Sequence, residues 1–321
     1  MYDNSNFPKA RKYWYMGKFY DWSQPVIHPM SHALHYGTSV FEGIRAYLTA
    51  KGPAIFRLED HLKRFFHSAS TLNMKVPFSQ QNIAEAIKLV IKENKLDHAY
   101  IRPLLFYSYG NMDLVPKASP VELVIGAWQW GAYLGHKTER GVHVALLHWR
   151  RFHHSQIPMS AKLGGIYVQS AICGTEARRQ GYDEAVFLNL ESHIAEGPGE
   201  NIFIVKNGRL KTNTGSESIL EGITRLSILE IAQNLKLSTD VGPITKDEFF
   251  QADEVFFSGT AVEIAPIVRI TDNSLPRAPK KEYIIGDGKA GKITLELSRA
   301  YQEAVSGQTK NYEKWLTYVY D

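Results

Sequence analysis

From Leu58 to Leu72 apolar residues recur every three or four positions, with Leu62, Phe65, Phe66, Ala69 and Leu72 on one face, which predicts a helix. The short apolar run Ala54-Ile55-Phe56 before it predicts a strand feeding that helix. Ser79 is an N-cap for a second helix, whose stripe is Ile83, Ala86, Ile87, Val90 and Ile91. Two β-branched and aromatic runs follow, Ala99 to Tyr109 and Val121 to Trp130, punctuated by Gly110, Pro116 and Pro120, and predict strands. Gly131 to Gly135 then reads as a break before a further strand, Val142 to Trp149.

Beyond the break the pattern predicts a helix over about Gly165 to Arg179 and a strand over Ala185 to Leu190. A hairpin turns at Asn207-Gly208, between Ile202 to Val205 and Leu210 to Thr212. A helix over Ile223 to Leu235, a strand over Glu254 to Ser258 and a last helix carrying Ile293, Leu297, Tyr301 and Ala304 complete the reading. The fold class is therefore α+β, with a smaller domain over 1–131, a linker over 132–138 and a larger domain over 139–321. No internal repeat or low-complexity tract interrupts it.

With 321 residues and 44% apolar content, the chain has enough material for a core in each domain. The net charge of +4 is mildly basic, but the 37 Lys and Arg are dispersed, so nothing points to nucleic acid or to a charged membrane surface. One cysteine, Cys173, excludes an intramolecular disulfide and a Cys-rich metal site and suits a cytoplasmic setting. The opening Met1 to Lys12 is polar and no stretch reaches about 20 apolar residues, so neither a signal peptide nor a membrane span is expected.

Most lysines are solvated charges. Lys162, in Ile157-Pro158-Met159-Ser160-Ala161-Lys162-Leu163-Gly164-Gly165, has no acidic neighbour and small residues on either side, room for a planar ligand at the amine. A lysine that forms a Schiff base must shed its proton near neutral pH; moving from ~10.4 to ~7 takes on the order of 4 to 5 kcal/mol, within the reach of burial or a nearby cation. Glu196, in Ile194-Ala195-Glu196-Gly197-Pro198-Gly199-Glu200-Asn201, belongs either to a solvated turn or to a site where a carboxylate faces a ring nitrogen. Leu220-Glu221-Gly222-Ile223-Thr224-Arg225 opens a helix, where Thr224 is either a simple cap or part of an anion cradle. Ser258-Gly259-Thr260-Ala261 offers a second cradle at a strand end. Two cradles and a lysine together suit a phosphorylated cofactor.

Gly286-Asp287-Gly288-Lys289-Ala290-Gly291-Lys292 resembles a phosphate-binding P-loop, but Ile293 stands where the magnesium-binding Ser or Thr belongs. A non-catalytic nucleotide-binding module built on this loop is the rival from another function class. His28, His32 and His35 lack the Cys or acidic partners of a metal site, so no metal is expected. No G-x-S-x-G nucleophile elbow occurs.

Over nearly its whole length the chain resembles the bacterial branched-chain amino-acid aminotransferases, two-domain enzymes of fold type IV that depend on pyridoxal 5'-phosphate. The resemblance rests on the block Met30 to Arg45, on Tyr100-Ile101-Arg102-Pro103, Trp130-Gly131-Ala132-Tyr133, Glu196-Gly197-Pro198-Gly199-Glu200-Asn201 and Ser258-Gly259-Thr260-Ala261, all in the family's order. It implies that Lys162 anchors the cofactor and moves the substrate α-proton, that Glu196 meets the pyridine nitrogen and that Tyr167 meets the phenolic oxygen. Arg64, Thr224, Thr260 and the segment Leu220, Gly222 and Ile223 would hold the phosphate and ring. Tyr100, Thr260 and Ala261 would take the α-carboxylate. Tyr36, Phe41, Gly43, Arg45, Trp130 and Tyr133 would form or border the side-chain pocket, and Arg102 would receive the distal carboxylate of glutamate.

The implied reaction is ping-pong exchange of an amino group between L-leucine, L-isoleucine or L-valine and 2-oxoglutarate, with the cofactor between two domains of a homodimer or larger homo-oligomer. A D-amino-acid aminotransferase or an aminodeoxychorismate-type lyase of the same fold is the nearer alternative. Two departures from the family stand out: a less glycine-rich segment at Tyr107 to Pro116, and a longer stretch at Thr271 to Tyr283.

Overall fold

A computed structural model describes residues 6–24, 26–130, 140–275 and 277–320. The chain divides into two compact units, Met1–Gly131 with Ala161–Ile166 and Glu303–Asp321, and Ala132–Ser160 with Tyr167–Gln302. The first unit thus takes back a short piece from mid-chain and the C-terminal tail, two returns that a division into consecutive stretches omits.

In the first unit the strands are β1 (Lys12–Tyr15), β2 (Lys18–Asp21), β3 (Ser39–Phe41), β4 (Ile44–Thr49), β5 (Gly52–Phe56), β6 (Ala99–Tyr107) and β7 (Val121–Trp128), with helices α1 (His32–Tyr36), α2 (Leu58–Thr71) and α3 (Gln80–Asn94). Among the described residues the sheet runs from the C-terminal strand Leu316–Tyr318 through β5, β4, β6, β7 and β1 to β2, with β3 beside β6, and every pairing is antiparallel. The Ser79 hydroxyl caps α3 by accepting from the Asn82 N–H, and the predicted stripe Ile83 to Ile91 is buried. Truncating a residue such as Ile87 to alanine would cost about 2–5 kcal/mol.

The stripe on α2 differs from the expectation. Phe66 and Leu72 are only half-buried, and the buried line is Leu58, His61, Leu62, Phe65, Ser68 and Ala69. Two polar residues, His61 and Ser68, therefore sit on the inner face for a reason other than apolar packing.

Period-two alternation gives the sheet two chemical faces. Ile101, Pro103 and Leu105 of β6 pair with Ala127, Ile125 and Leu123 of β7 and are buried, while α3 packs against β1 and β7. The opposite face carries Tyr100 and Arg102 of β6; Trp128 lies opposite Tyr100, as does Arg45 of β4.

The second unit contains β8 (Val142–Arg150), β9 (Glu184–Leu188), β10 (Asn201–Lys206), β11 (Arg209–Thr212), β12 (Thr239–Val241), β13 (Glu254–Gly259), β14 (Glu263–Asn273) and β15 (Lys281–Ile284). Its helices are α4 (Tyr167–Arg179), α5 (Ile223–Asn234), α6 (Lys246–Phe250) and, as far as Gln302, α7 (Lys292–Val305). The sheet order is β12, β11, β10, β13, β14, β8, β9, with β15 on β14. One face packs Val144, Leu146, Val186, Leu188, Ile202, Ile204 and Phe257 together; the other packs Ala145, Leu147, Ala185 and Phe187 with Cys173 and Ala177 of α4. The β10–β11 turn uses Asn207 and Gly208, both at positive φ, as the two-residue hairpin requires.

The long stretch after Thr271 is accounted for by β15 returning along β14. Tyr283 stacks on Phe250 with ring centroids 4.1 Å apart, and Lys246 bonds Asp272 at 2.7 Å, so the hairpin is fixed to α6.

Candidate active site

In the first unit Lys162 is held by its main chain. Its N–H donates to the Ser68 hydroxyl (2.9 Å), its carbonyl accepts from the Phe41 N–H (3.2 Å), and Val40 bridges Leu163. The glycines beside it let the chain run close to β3: a Cβ on Gly164 would lie 2.1 Å from Ser39 Oγ and would turn that hydroxyl aside. The Lys162 ammonium sits 4.9 Å from the Phe41 ring centroid. Half-buried, it is surrounded by a fixed chain rather than a loose surface loop.

The residue after Phe41 is one that sequence reasoning missed. Glu42, fully buried between β3 and β4, accepts from His61 Nδ1 (2.8 Å), Arg64 Nε (2.7 Å) and Arg64 Nη2 (2.9 Å). Burial alone would raise the Glu42 carboxyl, but the Arg64 charge and the bonds from Arg64 and His61 outweigh it and hold it well below the usual carboxylate range. Burial lowers the His61 imidazole, with Glu42 opposing. Their shared position on α2, three residues apart, lets both reach one carboxylate.

The polar sheet face brings together most of the expected substrate residues. Arg102 donates from Nη2 to the Tyr100 hydroxyl (2.9 Å), and its guanidinium lies 4.6 Å from the Phe41 ring centroid. Its buried Nε has no partner among the described residues. Arg45, also buried, donates to the Trp130 carbonyl (3.2 Å), and Trp130 meets Tyr100 edge-on at 4.5 Å. Gly43 is needed because a Cβ there would lie 2.2 Å from the Tyr100 hydroxyl. Tyr36 stands apart on α1, exposed, packed on His32 and bonded to the Met112 carbonyl. Tyr133 lies outside the described residues.

The second unit carries the other expected residues. Glu196 is buried; its Oε1 accepts from Arg151 Nε (2.8 Å), and its Oε2 accepts from the Leu220 N–H (3.1 Å) and Asn201 Nδ2 (3.4 Å). Asn201 also donates to the Leu220 carbonyl (2.7 Å) and accepts from the Gly222 N–H (3.1 Å), tying the loop before α5 to the start of β10. A Cβ on Gly222 would fall 2.2 Å from Asn201 Oδ1. Gly222, not Thr224, is the N-cap of α5; Ile223 and buried Thr224 occupy its first turn, whose N–H groups have no acceptor within the helix. Thr260 and Ala261, half-buried, lie in the turn between β13 and β14, beside Ser258, whose buried hydroxyl has no partner among the described residues. Tyr167, half-buried, opens α4.

Arg151, the ion-pair partner of Glu196, gave no sequence signal. The decoys resolve locally. At the start of α7 the Glu254 carboxylate accepts from the Ile293 and Thr294 N–H groups (3.0 and 2.7 Å), so the chain's own anion occupies the position a nucleotide phosphate would need. The His32 ring bonds Thr38 Oγ1 and the Asp113 carbonyl.

Each unit by itself offers groups that a phosphorylated aldehyde cofactor can use: the first an amine, Lys162, and an oriented guanidinium, Arg64, and the second a buried carboxylate, Glu196, a helix N-terminus at Gly222 and the Ser258 hydroxyl beside a turn, partnerless among the described residues. Residues 39–270 match the family model described as amino-transferase class IV. The chain belongs to the class IV aminotransferases, and it is a transaminase of fold type IV. Within that family it is similar to the branched-chain-amino-acid aminotransferase of Pseudomonas aeruginosa, 41% identical over 95% of this chain and 96% of the relative. Among solved structures it resembles the T.th. branched-chain amino acid aminotransferase complexed with N-(5'-phosphopyridoxyl)-L-glutamate, with 42% identity, 97% and 99% coverage and a TM-score of 0.89. The same enzyme complexed with 4-methylvaleric acid superposes with the same TM-score, identity and coverage.

Proposed function

We propose that this transaminase moves the amino group of L-leucine, L-isoleucine and L-valine to 2-oxoglutarate in a ping-pong cycle. Its cofactor is pyridoxal 5'-phosphate, which supplies an aldehyde and an electron-withdrawing ring when bound. Lys162 would hold the cofactor through Nζ and, once the substrate's own amine has displaced it there, would use the freed Nζ to take and return the substrate α-proton. Arg151, Asn201 and the Leu220 N–H hold Glu196 in place, and Glu196 keeps a proton at the ring nitrogen. Arg64, Thr224, Thr260 and the backbone at Ile223 bind the phosphate, and Tyr167 meets the phenolic oxygen. Tyr100, Thr260 and Ala261 receive the α-carboxylate.

The observation that carries the substrate assignment is Arg102, a cation on an aromatic face beside Phe41, Tyr100 and Trp130. The rings offer an apolar lining for an aliphatic side chain, while the guanidinium offers a fork for the distal carboxylate of glutamate. One methylene in an apolar pocket is worth about 1–3 kcal/mol, so the three branched-chain amino acids are accepted as a class. Ligands of the structural relative, a phosphopyridoxyl-glutamate and 4-methylvaleric acid, support both halves of the reading. We place the enzyme in the cytoplasm as a homodimer or an assembly of dimers, with a domain boundary near residue 131. Initial rates at varied L-leucine and 2-oxoglutarate should give parallel double-reciprocal lines. Turnover of D-alanine above that of L-leucine would instead favour the D-amino-acid reading.

A further inference from the structure

We propose that Glu42 and His61 are positioning residues for the cofactor phosphate, acting by locking Arg64 into one orientation. The inference rests on the reading of Arg64 as the phosphate-binding cation. Arg64 lies on α2 with its side chain 12% exposed, while the side chains of Glu42 and His61 are 0% and 1% exposed. Two parallel N–H donors, Nε and Nη2, meet the two oxygens of Glu42, so the plane of the guanidinium is set and its torsions are fixed. Glu42 is itself immobile: its N–H donates to the Pro103 carbonyl (3.0 Å), and His61 Nδ1 donates to the oxygen shared with Arg64 Nη2. A buried carboxylate is costly in a core and is retained where its partners satisfy it. A surface arginine must surrender rotamer freedom when it grips an anion; here that ordering is complete before the ligand arrives. In this arrangement the role of Glu42 is orientation, because its charge by itself opposes an anion.

The test compares pyridoxal phosphate with pyridoxal, which lacks the phosphate, by equilibrium dialysis of holoenzyme and of the Glu42→Gln, Arg64→Lys and double variants. Thermal unfolding serves as the folding control. Arg64→Lys keeps the charge and loses the fork; a pyridoxal phosphate affinity equal to wild type would refute the phosphate role of Arg64 itself. Given that role, Glu42→Gln should weaken pyridoxal phosphate tenfold or more, leave pyridoxal within twofold, and change affinity less than threefold on the Arg64→Lys background. Unchanged pyridoxal phosphate affinity, tighter binding, or equal loss of both ligands would overturn the positioning role. Should Glu42→Gln not fold, His61→Asn gives the same ratio with the carboxylate retained, and the same outcomes decide.

Discussion

Replacing Arg102 by leucine should separate the two half-reactions. The guanidinium lies over Phe41 and donates to the Tyr100 hydroxyl at 2.9 Å, with a buried Nε that has no partner among the described residues. If it grips the distal carboxylate of 2-oxoglutarate through two charge-assisted hydrogen bonds, each contributes about 1.5–3 kcal/mol. Their loss removes about 3–6 kcal/mol, or roughly 10²- to 10⁴-fold in kcat/KM for the dicarboxylate. L-Leucine makes no such contact, and a leucine side chain at 102 adds apolar surface, so its half-reaction should stay within about threefold of wild type. Single-turnover spectra with each substrate measure the two halves independently. Arg102→Lys should fall between, since it keeps charge without the fork. Equal losses for L-leucine and 2-oxoglutarate, or a larger loss for L-leucine, would refute the assignment.

Gly43→Ala places a Cβ 2.2 Å from the Tyr100 hydroxyl, so the ring must move or the strand must shift. Overpacking of this kind costs about 1–3 kcal/mol, and kcat/KM should fall alike for L-leucine and 2-oxoglutarate if both α-carboxylates meet Tyr100 as proposed; unaffected kinetics would exclude Tyr100 from carboxylate binding. Burial, with the Glu184 charge and then that of Glu196 adding to it against the Gly199 N–H, pushes the Glu200 carboxyl up to about 8. The folded chain therefore keeps a proton that the unfolded chain releases, and the stability linked to Glu200 is present below the ordinary carboxylate range and lost as pH rises toward 8. Urea titrations should show Glu200→Gln losing less stability than wild type between about pH 5 and 8; parallel slopes would contradict the buried-acid account.

The elements legible in the sequence were those whose apolar period has one interpretation. α3 shows its stripe and its Ser79 cap without competition, and the Asn207-Gly208 turn dictates its hairpin. The strands β3 and β4 were not legible, because their few residues lie in a block where glycine, glutamate and arginine serve the site rather than the alternation. On α2 the apolar residues Phe66 and Leu72 drew the stripe toward the wrong edge. The available signal was polar: His61, Phe65 and Ser68 follow helical spacing, so two hydrogen-bonding side chains had to share the inner face. Candidate site residues such as Lys162 and Glu196 stood out by motif, but the side chains that the structure packs around them did not. Arg151 is 45 residues from Glu196 and Ser68 is 94 from Lys162, and no local pattern connects positions so far apart.

If Lys162 carries pyridoxal phosphate and L-leucine donates its amino group to it, the colour of the enzyme must follow the exchange. The visible spectrum of purified enzyme and of the Lys162→Ala variant, before and after L-leucine, tests it most directly. The wild type should show a visible absorption band that L-leucine bleaches and 2-oxoglutarate restores, and the variant should show no such cycle. A wild-type protein that stays colourless when given pyridoxal phosphate, or a variant that cycles like the wild type, would contradict it.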